Sequence, residues 1–128
     1  MKLKCLVVED ASFLREIYRY SLANQNYEII DEAIDGVQAI AKIKLHQPDI
    51  VILDLVLPLK SGLDVLKESH QLSPDSRFLV ISSLDDQKTI DYAKSLGAIE
   101  YLVKPFTKAQ LLDSLSRISQ QYHEVQNG

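Results

Sequence analysis

Short apolar runs alternate with longer segments of helical period along this 128-residue chain, and no other feature limits its possible folds so tightly. CLVV (5–8), EIIDEA (28–33), IVIL (50–53), FLVI (78–81) and EYLV (100–103) read as strands. Between them Phe13, Leu14, Ile17 and Tyr18, then Val37, Ile40, Ala41 and Leu45, recur at the spacing of helices with one buried face. Leu63, Leu66 and Lys67 begin a third helix after Gly62. Ile90, Ala93 and Lys94 belong to a fourth, which Gly97 should end in a left-handed cap, and Leu111, Leu112, Leu115 and Ile118 mark a fifth. Strands apolar on both faces and separated by helices need crossover connections, and hence a parallel sheet covered on both sides. The expected fold class is α/β, a three-layer sandwich of five βα units. With 46% apolar residues and no linker or repeat, one domain over 1–128 is expected, with its core at about 3–119 and a fraying polar tail, QQYHEVQNG, at 120–128.

Charge and cysteine usage remove several function classes. Eighteen acids against 14 bases leave a net charge of −4, which disfavours direct nucleic-acid binding. The single Cys5, inside an apolar run, excludes a disulfide framework or thiolate metal cluster and reads as a core thiol in a reducing cytosol. The N-terminal MKLKCLVVED holds too short an apolar run for a signal peptide or membrane span, so a cytoplasmic protein without membrane insertion is expected.

The chemistry lies at the residues just beyond the strands. Glu9 and Asp10 come directly after CLVV, Asp54 after IVIL, Ser82 after FLVI and Lys104 after EYLV. Strand C-termini of a parallel sheet share one edge, where open α/β folds bind ligands, so three acids, a hydroxyl and an amine should converge. EIIDEA contributes no evident site residue, as expected of an outer strand. Three neighbouring carboxylates repel unless a cation neutralises them, and this oxygen-only set suits magnesium, or manganese in its place. One carboxylate, Asp54 on the central strand, could then act as nucleophile toward phosphorus, with Lys104 and Ser82 as donors to the phosphoryl oxygens.

These residues resemble the response-regulator receiver domains of two-component signalling. VVEDASFLR resembles the acidic-pair segment, DLVLPLKSG the acceptor loop, VISS the switch-strand end and YLVKPF the lysine-proline segment, all in the family's order and spacing over about 3–119. The resemblance implies a flavodoxin-like sheet of order 2-1-3-4-5. It implies that Asp10 holds magnesium directly and Glu9 through water, with Asp54 and the backbone carbonyl of Val56 completing the shell. Asp54 would be phosphorylated by a histidine kinase or histidine phosphotransfer protein. Ser82 and Lys104 would bind the phosphoryl group, Tyr101 would be the aromatic that changes rotamer as Ser82 moves, and the Lys104–Pro105 bond would be cis. The chain would catalyse only its own phosphorylation and dephosphorylation, and is not otherwise expected to be an enzyme.

Output is expected on the face formed by the fourth helix, fifth strand and fifth helix, with Tyr92, Lys94, Tyr101, Lys108 and Gln110 as contact candidates. No effector domain is expected after residue 119, so a second protein would carry the signal, the chain being a monomer or a weak dimer through that face. Simpler readings stand beside these. Asp54 could start an Asx-turn, Glu9 and Asp10 could cap the first helix, Ser82 could cap the fourth with Ser83 as its rival, Lys104 could be a surface lysine, and Tyr101 could be strand packing. His46, His70 and His123 read as surface residues. A flavodoxin-type flavin carrier would need a hydroxyl-rich first loop where EDASF is acidic, and a dehalogenase-type hydrolase an acid where Val56 stands. An interaction-only pseudo-receiver is the remaining alternative. Val56 and Leu84 are aliphatic where many receivers carry polar side chains, so slower self-dephosphorylation is expected. Lys60 and Ser61 replace the hydrophobic and acidic residues common before the loop glycine, which bears on loop geometry.

Overall fold

A computed structural model describes residues 2–127, with side chains through 121. The five apolar runs form strands β1 (Leu3–Val8), β2 (Tyr27–Ala33), β3 (Ile50–Leu53), β4 (Arg77–Ser82) and β5 (Ala98–Val103). They alternate with helices α1 (Ser12–Leu22), α2 (Gly36–His46), α3 (Gly62–Leu72), α4 (Gln87–Ser95) and α5 (Lys108–Asn127). All strand pairs are parallel, in the order β2-β1-β3-β4-β5. Helix α5 runs to Asn127, into the segment expected to fray.

The two-residue period of a strand divides the core into two layers. Ile50 and Ile52 of β3 join Cys5, Val7, Leu79 and Ile81 beneath Tyr18 and Leu22 of α1 and Leu111, Leu115 and Ile118 of α5. Val51 and Leu53 face the other way, with Leu6, Val8 and Val80, against Ala39 and Ile43 of α2, Val65 and Leu66 of α3 and Ala93 of α4. The central strand is therefore dry on both faces. Cys5 lies in this core, where burial, with Asp49 adding to it, pushes its thiol up to about 12.

Two helices bury only part of the face expected of them, with Leu14, Tyr18 and Ile40 packed on the core. Phe13, Val37 and Leu45 are exposed, and the buried positions are Tyr18, Ser21 and Leu22 in α1 and Gly36, Ala39 and Ile43 in α2. The inner stripe of α2 thus combines small residues with Ile43, while Val37 and Leu45 lie on its exposed rim. After α4, Gly97 has φ +112° and its N–H bonds Lys94 O, the left-handed exit expected there.

Candidate functional site

Every strand except β2 delivers a chemically active residue to the same sheet edge. Asp54 is the first residue beyond β3, and its N–H bonds Val8 O at 3.0 Å, so the ladder to β1 fixes its backbone. Gly62, at the start of α3, bonds Leu55 O through its N–H, and a Cβ there would lie 2.3 Å from Asp54 O. Only glycine admits this close approach. Of the two unusual residues before the loop glycine, Ser61 caps α3 by accepting from Asp64 N at 3.2 Å, and Lys60 pairs with Glu68 at 2.6 Å.

Glu9, Asp10 and Asp54 each place a carboxylate oxygen within 4.8 Å of the others, the one such acid, histidine or cysteine group among the described residues. Glu9 and Asp54 are buried, whereas Asp10 is exposed. Lys104 bridges the buried pair, its Nζ 2.8 Å from Glu9 Oε1 and 2.9 Å from Asp54 Oδ2. Burial pushes Glu9 up to about 7, with the Asp54 charge adding to the rise and the Lys104 bond opposing it. Burial also works against the Lys104 ammonium, yet its bonds to Asp54 and Glu9 raise its pKa. One ammonium thus faces three acids, an excess of negative charge that a hard divalent cation would relieve. The oxygen-only donor set fits magnesium.

The remaining expected residues occupy definite places. Ser82 is buried at the end of β4, its Oγ accepting from Leu84 N at 3.2 Å and its carbonyl from Lys104 N at 2.9 Å, while its rival Ser83 is exposed. Asp86, not Ser82, caps α4, accepting from Thr89 N. Tyr101, partly buried, donates its hydroxyl to Leu84 O at 2.5 Å across the β4–α4 loop. The Lys104–Pro105 peptide is cis, and Phe106 stacks on Tyr18 with ring centroids 5.8 Å apart, holding the loop to α1. Asp54 also accepts from Val56 N at 3.1 Å, so the Asx-turn is present together with the cluster. The side chain of Val56 is exposed at the mouth of the site, as is that of Leu84.

Several residues expected on the output face or at the surface have local partners. Gln110 is committed to capping α5: its Oε1 accepts from Thr107 N while Thr107 Oγ1 accepts from Gln110 N. Tyr92 is exposed but lies under the Lys67 ammonium, and Lys108 lies over Tyr20 of α1. His46 is partly buried, bonding Asp31 at 2.9 Å, and exposed His70 bonds Leu96 O; His123 falls outside the residues with described side chains. The edge strand β2 does reach the site, because its Glu32 pairs with Arg15, whose guanidinium donates to the carbonyls of Glu9 and Asp10.

Residues 5–116 match the family described as response regulator receiver domain. The chain belongs to that family. It is 32% identical to the chemotaxis protein CheY of Thermotoga maritima over 91% of this chain and 97% of that one. It is 35% identical to protein CcdB of Bacillus subtilis over 90% and 96% of the two chains. The CheY chain in a CheX-CheY-BeF3-Mg2+ complex from Borrelia burgdorferi superposes with a TM-score of 0.87 at 28% identity, covering 91% of this chain and 88% of that one. Membership places this receiver domain in two-component signalling. Among the described residues, no helix is long and apolar enough to cross a membrane.

Proposed function

We propose that this receiver accepts a phosphoryl group on Asp54 from a histidine kinase or histidine phosphotransfer protein and passes the signal to a second protein. In the transfer, the P–N bond of a phosphohistidine breaks as an Asp54 carboxylate oxygen bonds to phosphorus, and the imidazole nitrogen leaves with its electron pair. Asp10, Asp54 and the Val56 carbonyl would hold magnesium, with Glu9 contributing through water. The ion, when bound, supplies positive charge for the carboxylate cluster and the phosphoryl oxygens. Lys104 would release its bonds to the buried carboxylates and donate to the phosphoryl group, and the hydroxyl of Ser82 would leave Leu84 N to do the same. Since Tyr101 bonds the carbonyl of that same Leu84, a shift of Ser82 would be felt by β5 and α4. The face of α4, β5 and α5 is therefore the proposed output surface and the proposed contact of any weak dimer. Catalysis is confined to the chain's own phosphorylation and dephosphorylation.

The observation that carries this reading is the single ammonium shared by two buried carboxylates, 95 and 50 residues away in sequence. Intact-mass spectrometry after treatment with acetyl phosphate and magnesium tests it. A phosphoryl mass gain is expected in the wild type and not in Asp54→Asn. No gain in either protein, together with absent magnesium binding, would favour an interaction-only module.

A further inference from the structure

The loop carrying the two first-strand acids has few restraints of its own. Glu9 N bonds Ala33 O at 2.9 Å and the Glu9 carboxylate accepts from Ala11 N at 3.3 Å. Ala11 occupies the N-cap of α1, and no side chain caps that helix. Asp10 is exposed, so core packing does not orient its carboxylate. Arg15, one turn into the helix, reaches back under this loop. Its Nη1 donates to Glu9 O at 2.9 Å and to Asp10 O at 3.0 Å. Its Nε lies 3.3 Å from Glu32 Oε1 on the edge strand, and Arg19 Nη1 contacts both oxygens of the same carboxylate at 2.6 Å. The Arg15 side chain is only 16% exposed.

We infer that Arg15 is a positioning residue for the metal site, its guanidinium holding the peptide carbonyls of Glu9 and Asp10 so that both carboxylates face one ion, with Glu32 holding the guanidinium. This rests on the metal-binding reading of the acidic cluster. A planar fork of fixed donors suits the task, because it can bond two successive carbonyls and a carboxylate at once. An ammonium has no such fork, so lysine would keep the charge and lose the geometry. Glu32 balances the cation locally and keeps Arg15 from competing for the site's own carboxylates. The arrangement also explains why β2, otherwise remote, carries an acid at the position paired with Val7 of β1.

Positioning and simple electrostatics predict opposite signs. Removing a cation beside a metal site should tighten binding if charge were the whole effect, whereas loosening the loop should weaken it. Mn2+ binding to the full chain, followed by calorimetry and by the electron spin resonance of the free ion, separates the two. Arg15→Met and Arg15→Lys are each expected to weaken Mn2+ binding about tenfold, the size seen when groups that orient metal ligands are lost. Arg117→Met, which breaks the 2.9 Å pair with Glu100 away from this loop, is expected to bind Mn2+ as the wild type does. If Arg15→Met does not fold, Arg15→Lys carries the test, with urea unfolding reporting its integrity. Wild-type affinity in Arg15→Lys, tighter binding in Arg15→Met, or an equal loss in Arg117→Met would each overturn the role. A wild type that binds no Mn2+ would instead overturn the metal-site reading beneath it.

Discussion

The two ends of the sheet are both polar, and they solve the problem of polarity in opposite ways. At the N-terminal end lies a groove of about 720 Å³ lined in part by Pro48, Asp49, Ser69, Ser73 and Ser76. Several of its groups pair with neutral partners: Ser69 donates to Val65 O at 2.6 Å, Ser73 and Ser76 share a hydrogen bond at 2.6 Å, Ser76 also bonds Pro48 O, and Asp49 accepts from Lys4 N at 2.8 Å. At the C-terminal end, acids meet a lysine and one another, and charge remains unbalanced. These groups of the groove are satisfied locally, whereas the acidic cluster at the other end is open to a cation. Unmatched charge, rather than the presence of a groove, marks the functional end of this molecule.

Gly62→Ala should break the C-terminal end most severely. Its Cβ would meet Asp54 O at 2.3 Å and Leu55 Cα at 2.6 Å, so backbone must move at the acceptor itself. Urea unfolding should show a loss of about 2–3 kcal/mol, and the rate of phosphoryl uptake should fall by at least about tenfold. The next effect is on pH. Folding raises Glu9 from its ordinary 4.5 to about 7, so the folded chain holds that proton more tightly than the unfolded one. The Glu9 contribution to stability without metal is therefore greatest below about 4.5 and is lost as pH rises through about 7. Metal binding draws on the carboxylate form, so magnesium affinity measured by calorimetry should drop about tenfold from pH 8 to pH 6, and Glu9→Gln should flatten that profile.

A smaller change is expected at the mouth of the site. Val56→Asn would place an amide where it could hold an attacking water, and the lifetime of the phosphorylated form should shorten several-fold; equal lifetimes would remove the idea. The counterpart at the other end is Ser76→Ala. It should cost about 1 kcal/mol in urea unfolding, from hydrogen bonds lost to Ser73 and Pro48, and leave phosphoryl uptake unchanged. A fall in uptake there would show that the two ends are coupled and would spoil the contrast.

The strands were legible because β3 and β4 are dry on both faces, so their hydrophobicity is continuous and their ends are marked by the polar residues just beyond them. The site residues were legible for the same reason, since a parallel sheet gathers the residues at its strand ends along one edge. Helix faces were harder to read. Val37 and Leu45 look like core by hydrophobicity, yet both are exposed, and Ala39 and Ile43 are the α2 residues buried in the core. The link from Glu32 through Arg15 to the acidic pair left no trace in the sequence. An arginine on a helix and a glutamate on a strand form an ordinary surface pairing, and only the fold shows that the same guanidinium also grips two carbonyls.

The alternating burial of β3 has a consequence for how such a chain can change length. Four residues fill two opposite layers, so a slip of one position would exchange the contents of both and carry the acceptor away from its lysine. Deleting a single residue from Ile50–Leu53 should therefore act like deleting Asp54, whereas an insertion in the 23–26 turn, at the far end of the outer strand, has no such lever. The strand works as a mechanical stop, and tolerance to insertion should be lowest where the segment is shortest.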